Sequence, residues 1–207
     1  MPHVRRLVAH AAAWDERAPG VAVAWVRRHP HVRGAAIAWD RVFAARSVDV
    51  LLLAAFVLVA AARRSAPASA QVVRAGGSVL AGWAAQATAK AVVRRPRPTV
   101  APHLPLVPVP GTSTPSGHVA NLATAALAVH DVARHPGLPR ARRRVLAGAL
   151  AAVVVLTALD RVAVGAHRPS DVAVGAALGA VVHALGTRAL PGLNHRCSPT
   201  APTPEDL

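Results

Sequence analysis

VLAGALAAVVVLTALDRVAVGAHRPSDVAVGAALGAVVHALG, residues 145–186, consists of two apolar segments joined by a polar dozen. The flanks, about 145–160 and 171–190, are built from Ala, Val, Leu and Gly, and their length and Ala content predict helices rather than strands. The dozen between them, DRVAVGAHRPSD at 160–171, breaks the apolar pattern with charge, Gly and Pro, and predicts a connection. Pro169 suits a first helical position, which starts the last helix there.

Working outward, three more apolar stretches appear at about 48–62, 72–93 and 116–133, each bounded by Arg or Pro clusters. Five helices follow. Apolar residues make up 53% of the 207 residues and aromatics only 3%, a mixture that favours helices over sheets. The charge-free cores are shorter than the roughly 20 residues that cross hydrocarbon, but arginines at their ends can snorkel. The expected fold is an all-α, integral-membrane helical bundle of five to six transmembrane helices, multi-pass in the plasma membrane.

Residues 1–46 hold Trp14, Trp25 and Trp39 among eight arginines, which suits an interfacial amphipathic segment better than a span. Residues 47–190 form the membrane domain. Residues 99–114, TVAPHLPLVPVPGTST, are a Pro-rich loop, either a plain connector or a lid or lipid-access rim through Leu104, Leu106 and Val107, and residues 191–207 are a disordered tail. The start of the chain does not read as a cleavable signal peptide. Lone Cys197 excludes an intrachain disulfide and a Cys-based zinc site.

The formal charge of +15 raises nucleic acid as a partner, but with no Tyr and only Phe43 and Phe56 the chain lacks a base-stacking surface. Arginines flanking membrane helices explain the charge better. With five crossings, ten of them (Arg63, Arg64, Arg74, Arg134, Arg140, Arg142, Arg143, Arg144, Arg188 and Arg196) fall on one side, which is then cytoplasmic. The N-terminal arginines would lie outside unless that segment adds a crossing or stays at the interface.

Three polar clusters then share the opposite, extracytoplasmic side: KAVVRRPRP at 90–98, TPSGH at 114–118 and the dozen at 160–171. Lys90 is the sole lysine among 24 basic residues, which hints at a specific role. In TPSGH, Thr114 is the expected N-cap and Pro115 the first helical residue, leaving the amides of Ser116, Gly117 and His118 to bind an anion. Asp171 lies four residues after His167, close enough to fix the imidazole tautomer and leave the other ring nitrogen free to act as a nucleophile. Arg94, Arg95 and Arg168 read as interfacial arginines facing headgroups. His103, His130 and His183 read as structural.

The spacings Lys90 to Pro98, Pro115 to His118 and Arg161 to Asp171 resemble the three-part signature of the type 2 phosphatidic acid phosphatase and vanadium haloperoxidase superfamily. Where the third motif usually begins Ser-Arg, this chain has Asp160-Arg161. The resemblance implies a metal-independent phosphatase with no cofactor, acting on a lipid phosphate in the bilayer through a phosphohistidine. His167 is then the nucleophile, Asp171 its orienting partner and His118 the general acid and base, while Lys90, Arg97, Arg161, Ser116 and Gly117 bind the phosphoryl oxygens. No carboxylate cluster of the kind a magnesium site uses lies near the motifs. Two alternatives stay open: a phosphate-lipid binder or transporter without turnover, and a soluble vanadate-binding haloperoxidase relative. Undecaprenyl diphosphate, phosphatidic acid, phosphatidylglycerol phosphate and decaprenyl-linked sugar phosphates all fit as substrates.

Overall fold

The structure, a computed structural model, describes residues 2–43, 66–134 and 138–188. Among these residues there are six helices and no strand: α1 (Pro2–Arg27), α2 (Pro30–Phe43), α3 (Ala66–Val93), α4 (Gly117–Ala133), α5 (Arg140–Ala163) and α6 (Pro169–Arg188). The helix expected at 48–62, the tail after 190 and Arg63, Arg64 and Arg196 lie outside the described residues. The last four helices fall on the four apolar stretches expected there. Helix α3 starts at Ala66 rather than 72, and α5 starts at Arg140 rather than 145, the latter because arginine is a good helix former and the charge-free core marks only the apolar part of the helix. Pro139 precedes that start. The Pro-rich stretch forms no helix.

Helix α4 is the hub, packed against α3, α6 and α5. Val72, Ala75 and Val79 of α3 meet Ala125 and Ala128 of α4 in the core. Between α4 and α6 the backbones touch. A Cβ on Gly179 would stand 2.5 Å from the Ala120 carbonyl oxygen, and one on Gly175 2.6 Å from that of Ser116. Thr124 Oγ1 bridges the same contact to the Gly179 carbonyl at 3.2 Å. Small residues and a hydroxyl bond are how helices associate where lipid removes the hydrophobic drive. Gly179→Ala should therefore destabilise the bundle by about 1–3 kcal/mol, since the opposing atom is backbone and cannot swing away. A thermal melt in detergent checks this, and a variant as stable as the parent contradicts it.

Helices α5 and α6 are the two, among the described residues, that are long and apolar enough to cross a membrane. In α5 only Thr157, Asp160 and Arg161 are buried, all near its C-terminal end, while Val145, Val155, Leu156 and Leu159 are exposed. That outward apolar face belongs in hydrocarbon, and the fold is a helical membrane bundle. Helices α1 and α2 do not pass the same test, and they lie against α5. Trp14 and Trp25 are exposed. Trp39 departs from the interfacial expectation, because its Nε1–H donates to Thr157 Oγ1 of α5 at 3.0 Å and a paired indole is held against protein.

Candidate active site

The three polar clusters meet at one end of the bundle. Helix α3 ends there with Lys90, α4 begins there, and the 164–168 turn joins α5 to α6 there. The turn is fixed by its backbone: the amides of Ala166 and His167 donate to the Arg161 carbonyl at 3.0 and 3.1 Å. Gly165 sits at φ +78, and a Cβ there would stand 2.8 Å from Val23 of α1. Glycine is the residue that meets both demands.

His167 is 1% exposed. Its Nε2 accepts an N–H from Arg97 at 2.8 Å, and the same guanidinium nitrogen donates to the Ala166 carbonyl at 2.8 Å. Arg97 is held from the other side by the carbonyls of Pro110 at 2.9 Å and Gly111 at 3.3 Å. Lys90 Nζ donates to the Thr112 carbonyl at 3.0 Å. Burial pushes the His167 imidazole down to about 2, and the nearby charges of Arg97, Lys90, His118 and Arg161 push the same way. The ring is therefore neutral at every physiological pH, with a lone pair rather than a proton on the nitrogen that faces Arg97.

That shift has a sign for stability. Between pH 6.5 and 2 the unfolded chain protonates His167 and the folded chain does not, so stability falls as the pH drops below about 6.5, by about 1.4 kcal/mol per unit. Melts at pH 7.5 and 5.5 should show a larger loss for wild type than for His167→Asn. Equal losses contradict the buried neutral ring.

Asp171 differs from expectation. Its carboxylate stands 4.0 Å from His167 Nδ1, outside hydrogen-bond range. Its lone pairs are taken by the hydroxyls of Ser113 and Thr114, the Arg168 amide at 2.9 Å and Arg95 at 3.0 Å. A fully buried carboxylate needs several donors, and these four satisfy it. The same demand moves the cap. Thr114 is committed to Asp171, and Ser116 becomes the N-cap of α4, with its amide bound to the Asp171 carbonyl oxygen at 2.9 Å. Of the three amides expected to be open to an anion, that of Ser116 is thus occupied.

Arg161 is also placed differently. One guanidinium nitrogen pairs with Asp160 and with Asp40 of α2, the latter at 2.5 Å. Asp160, standing where a serine is usual, acts as its partner. The Arg161 Nε is buried and has no hydrogen-bond partner among the described residues, and the same holds for Ser116 Oγ and Gln86 Oε1. Gly117 leaves room between α3 and α4: a Cβ there would lie 2.7 Å from Gln86 Oε1 and 3.5 Å from Lys90 Cε. His118, one residue on, lies within electrostatic reach of His167.

Arg95 and Arg168 do not face headgroups. Arg95 links Asp171 to Ser170 at 2.7 Å and, on α1, to Asp15 at 3.1 Å and Glu16 at 3.0 Å. Arg168, buried, binds Glu16 at 2.7 Å and the Pro96 carbonyl. Asp15 in turn accepts from the Ser170 amide at 2.7 Å and its hydroxyl at 2.5 Å. The N-terminal helix is thus fastened to the turn that carries His167. No local pattern marks this arrangement, since the partners are at least 72 residues apart.

Residues 71–194 match the sequence model of the PAP2 superfamily. No curated protein sequence matches the chain. Solved structures sharing its fold include a transmembrane PAP2 type phosphatidylglycerolphosphate phosphatase from Bacillus subtilis. Its TM-score is 0.66 at 21% identity, over 87% of this chain and 86% of that one. Another is Aquifex aeolicus LpxE, at a TM-score of 0.59 and 20% identity, over 77% and 87% of the two chains. At these identities the likeness is one of fold.

Proposed function

The chain belongs to the PAP2 superfamily, and from that membership and the geometry of the site we propose that it is a membrane phosphatase hydrolysing a lipid phosphate or polyprenyl diphosphate through a phosphohistidine, with no metal. The observation that carries this reading is His167, a buried neutral imidazole whose Nε2 faces Arg97 among Lys90, His118 and Arg161. Such crowding of positive charge around an uncharged nucleophile is complementary to a phosphoryl group.

In the first step Nε2 of His167 attacks phosphorus, the N–P bond forms and the bond to the leaving oxygen breaks. His118 gives that oxygen its proton. In the second step His118 takes a proton from water, the water oxygen bonds phosphorus and the N–P bond breaks, which restores both histidines and releases phosphate. Arg97 moves its N–H from Nε2 onto a phosphoryl oxygen as substrate arrives. Lys90, the Gly117 amide, Ser116 Oγ and the Arg161 Nε supply the remaining donors. Phosphoryl transfer depends mainly on position and charge, and a charged hydrogen bond contributes about 1.5–3 kcal/mol, so this set can do what a metal does elsewhere. Asp171 acts as a positioning residue, holding the Ser113–Ser116 and Arg168–Asp171 backbones around the nucleophile.

The substrate class follows from location. The site sits at one end of helices whose outer faces are apolar, where an amphiphile delivers its headgroup from the bilayer. The described arginines of the other end (Arg74, Arg134, Arg140, Arg142, Arg143, Arg144 and Arg188) favour a plasma-membrane orientation with the site outside. The test is phosphate release in excess chelator from phosphatidic acid, phosphatidylglycerol phosphate and undecaprenyl diphosphate, with glycerol 3-phosphate as the soluble comparison. The expected result is chelator-resistant turnover of at least one lipid, well above that of the soluble ester. Turnover that stops in chelator and returns with a divalent cation would overturn the proposed chemistry.

A further inference from the structure

At the end of the bundle opposite His167, a pocket of about 220 Å³ is lined by His130, Arg134, Arg140, Arg143 and Arg144. Among the described residues no carboxylate lines it. Arg140, Arg143 and Arg144 lie in the opening turns of α5, which has no acidic residue in its first turn, so the helix dipole adds to their mutual repulsion. Sharing His130 and Ala147 with this pocket, a groove of about 360 Å³ runs between α4 and α5 along Ala123, Leu127, Leu150, Ala151 and Val154. The groove is apolar throughout except at the end where His130 joins it to the arginines.

Two further observations bear on what fills it. From Arg140 to Leu156, α5 has no buried residue, so its N-terminal two thirds lean on α4 with little protein packing. His118 and His130 are twelve residues apart on α4, or ~18 Å along the helix, which separates the groove from the catalytic cluster. An apolar channel ending in guanidinium groups that face no carboxylate among the described residues matches an amphiphile with an anionic head. Arginine forks bind phosphate oxygens in pairs, and an acyl chain suits the groove.

We propose that this surface is a binding site for an anionic diacyl phospholipid of the leaflet opposite the active site. The lipid is a resident one, distinct from the substrate: its phosphate lies against Arg140, Arg143 and Arg144, and one acyl chain fills the α4–α5 groove and braces α5. A soluble anion would leave the groove unused, and a zwitterionic lipid would bring its own cation to the arginines.

The test measures lipid binding to the full chain by native mass spectrometry and by thermal melting in neutral detergent. The probes are phosphatidylglycerol, phosphatidylcholine and glycerol 3-phosphate. Phosphatidylglycerol should bind and raise the melting temperature, phosphatidylcholine should bind at least about tenfold more weakly, and glycerol 3-phosphate should not protect. Arg140→Gln/Arg143→Gln/Arg144→Gln should lose at least about tenfold in affinity for phosphatidylglycerol. Should the triple variant fold poorly, Ala151→Trp, which blocks the groove and leaves the arginines, should lose binding too, and binding to wild type should weaken as salt rises. Equal binding of phosphatidylcholine, equal protection by glycerol 3-phosphate, or undiminished binding by either variant would overturn the proposal. The readout is binding rather than turnover, so its failure leaves the phosphatase reading standing.

Discussion

His167→Ala should abolish phosphate release, lowering kcat by at least about four orders of magnitude while the protein still folds. The loss is large because the proposed reaction has no other route to the covalent intermediate. Lys90 and Arg97 are cations at the site, and Asp171 is fully enclosed by its own donors, so none of them can replace the attacking nitrogen. The fold should survive, because the turn is held by the amides of residues 166 and 167, which the substitution keeps. It also removes a buried neutral ring from among like charges, and the variant should be less sensitive to acid than wild type. Phosphate release by purified variant in chelator reads the first effect, and melts across pH read the second. Residual turnover within tenfold of wild type would remove His167 from the nucleophilic role.

His118→Ala should lower kcat by about 10²–10⁴, with a size that depends on the leaving group. For an alkyl phosphate the variant loses both the proton for the leaving oxygen and the base for water. For an aryl phosphate with a stable leaving anion the first proton is not needed, so phosphorylation of the enzyme should recover while its hydrolysis stays slow. The expected signature is a stoichiometric burst of phenol followed by slow turnover, with phosphoenzyme accumulating. A uniform loss on both substrates, with no burst, would assign His118 to binding instead. By contrast Gly117→Ala meets the flexible ends of Gln86 and Lys90, which can move, and should impair phosphate binding more than folding.

The helices and the residues of the site differ in how far a linear reading reaches them. Residues 90–98, 114–118 and 160–171 are legible as clusters because each is a local break in an apolar pattern, and the two crossings between 118 and 160 return the chain to the same side. The structure keeps Lys90, Arg97, His118 and His167 in one electrostatic neighbourhood. Hydrogen-bond partners were not legible in the same way. Thr114 has the chemistry of an N-cap, and only the proximity of buried Asp171 diverts its hydroxyl and hands the cap to Ser116. Arg161 looks like a free cation until α2 brings Asp40 to it. Arg95 and Arg168 look like headgroup arginines until α1 delivers Asp15 and Glu16. In each case the partner comes from a distant element, and ion pairing of this kind leaves no periodicity in the chain.

These long-range pairs also explain how a reactive imidazole is kept in place without a direct bond to Asp171. The 164–168 turn is clamped by Arg97 from the segment after α3, by Asp171 through the Arg168 amide, and by α1 through Ser170 and Arg168. A nucleophile positioned by its backbone needs less from its side-chain neighbour, and the 4.0 Å separation leaves Asp171 to act chiefly on the loop and, through space, on the imidazolium character of the reacting ring.

The most direct measurement is rapid acid-free quenching of wild type and His118→Ala during turnover of a labelled lipid phosphate, followed by mapping of the protein-bound label. The account predicts label on His167, stable to base, lost in acid, and absent from His167→Ala. Single-turnover hydrolysis with no protein-bound phosphate in either protein, or label on any other residue, would contradict it.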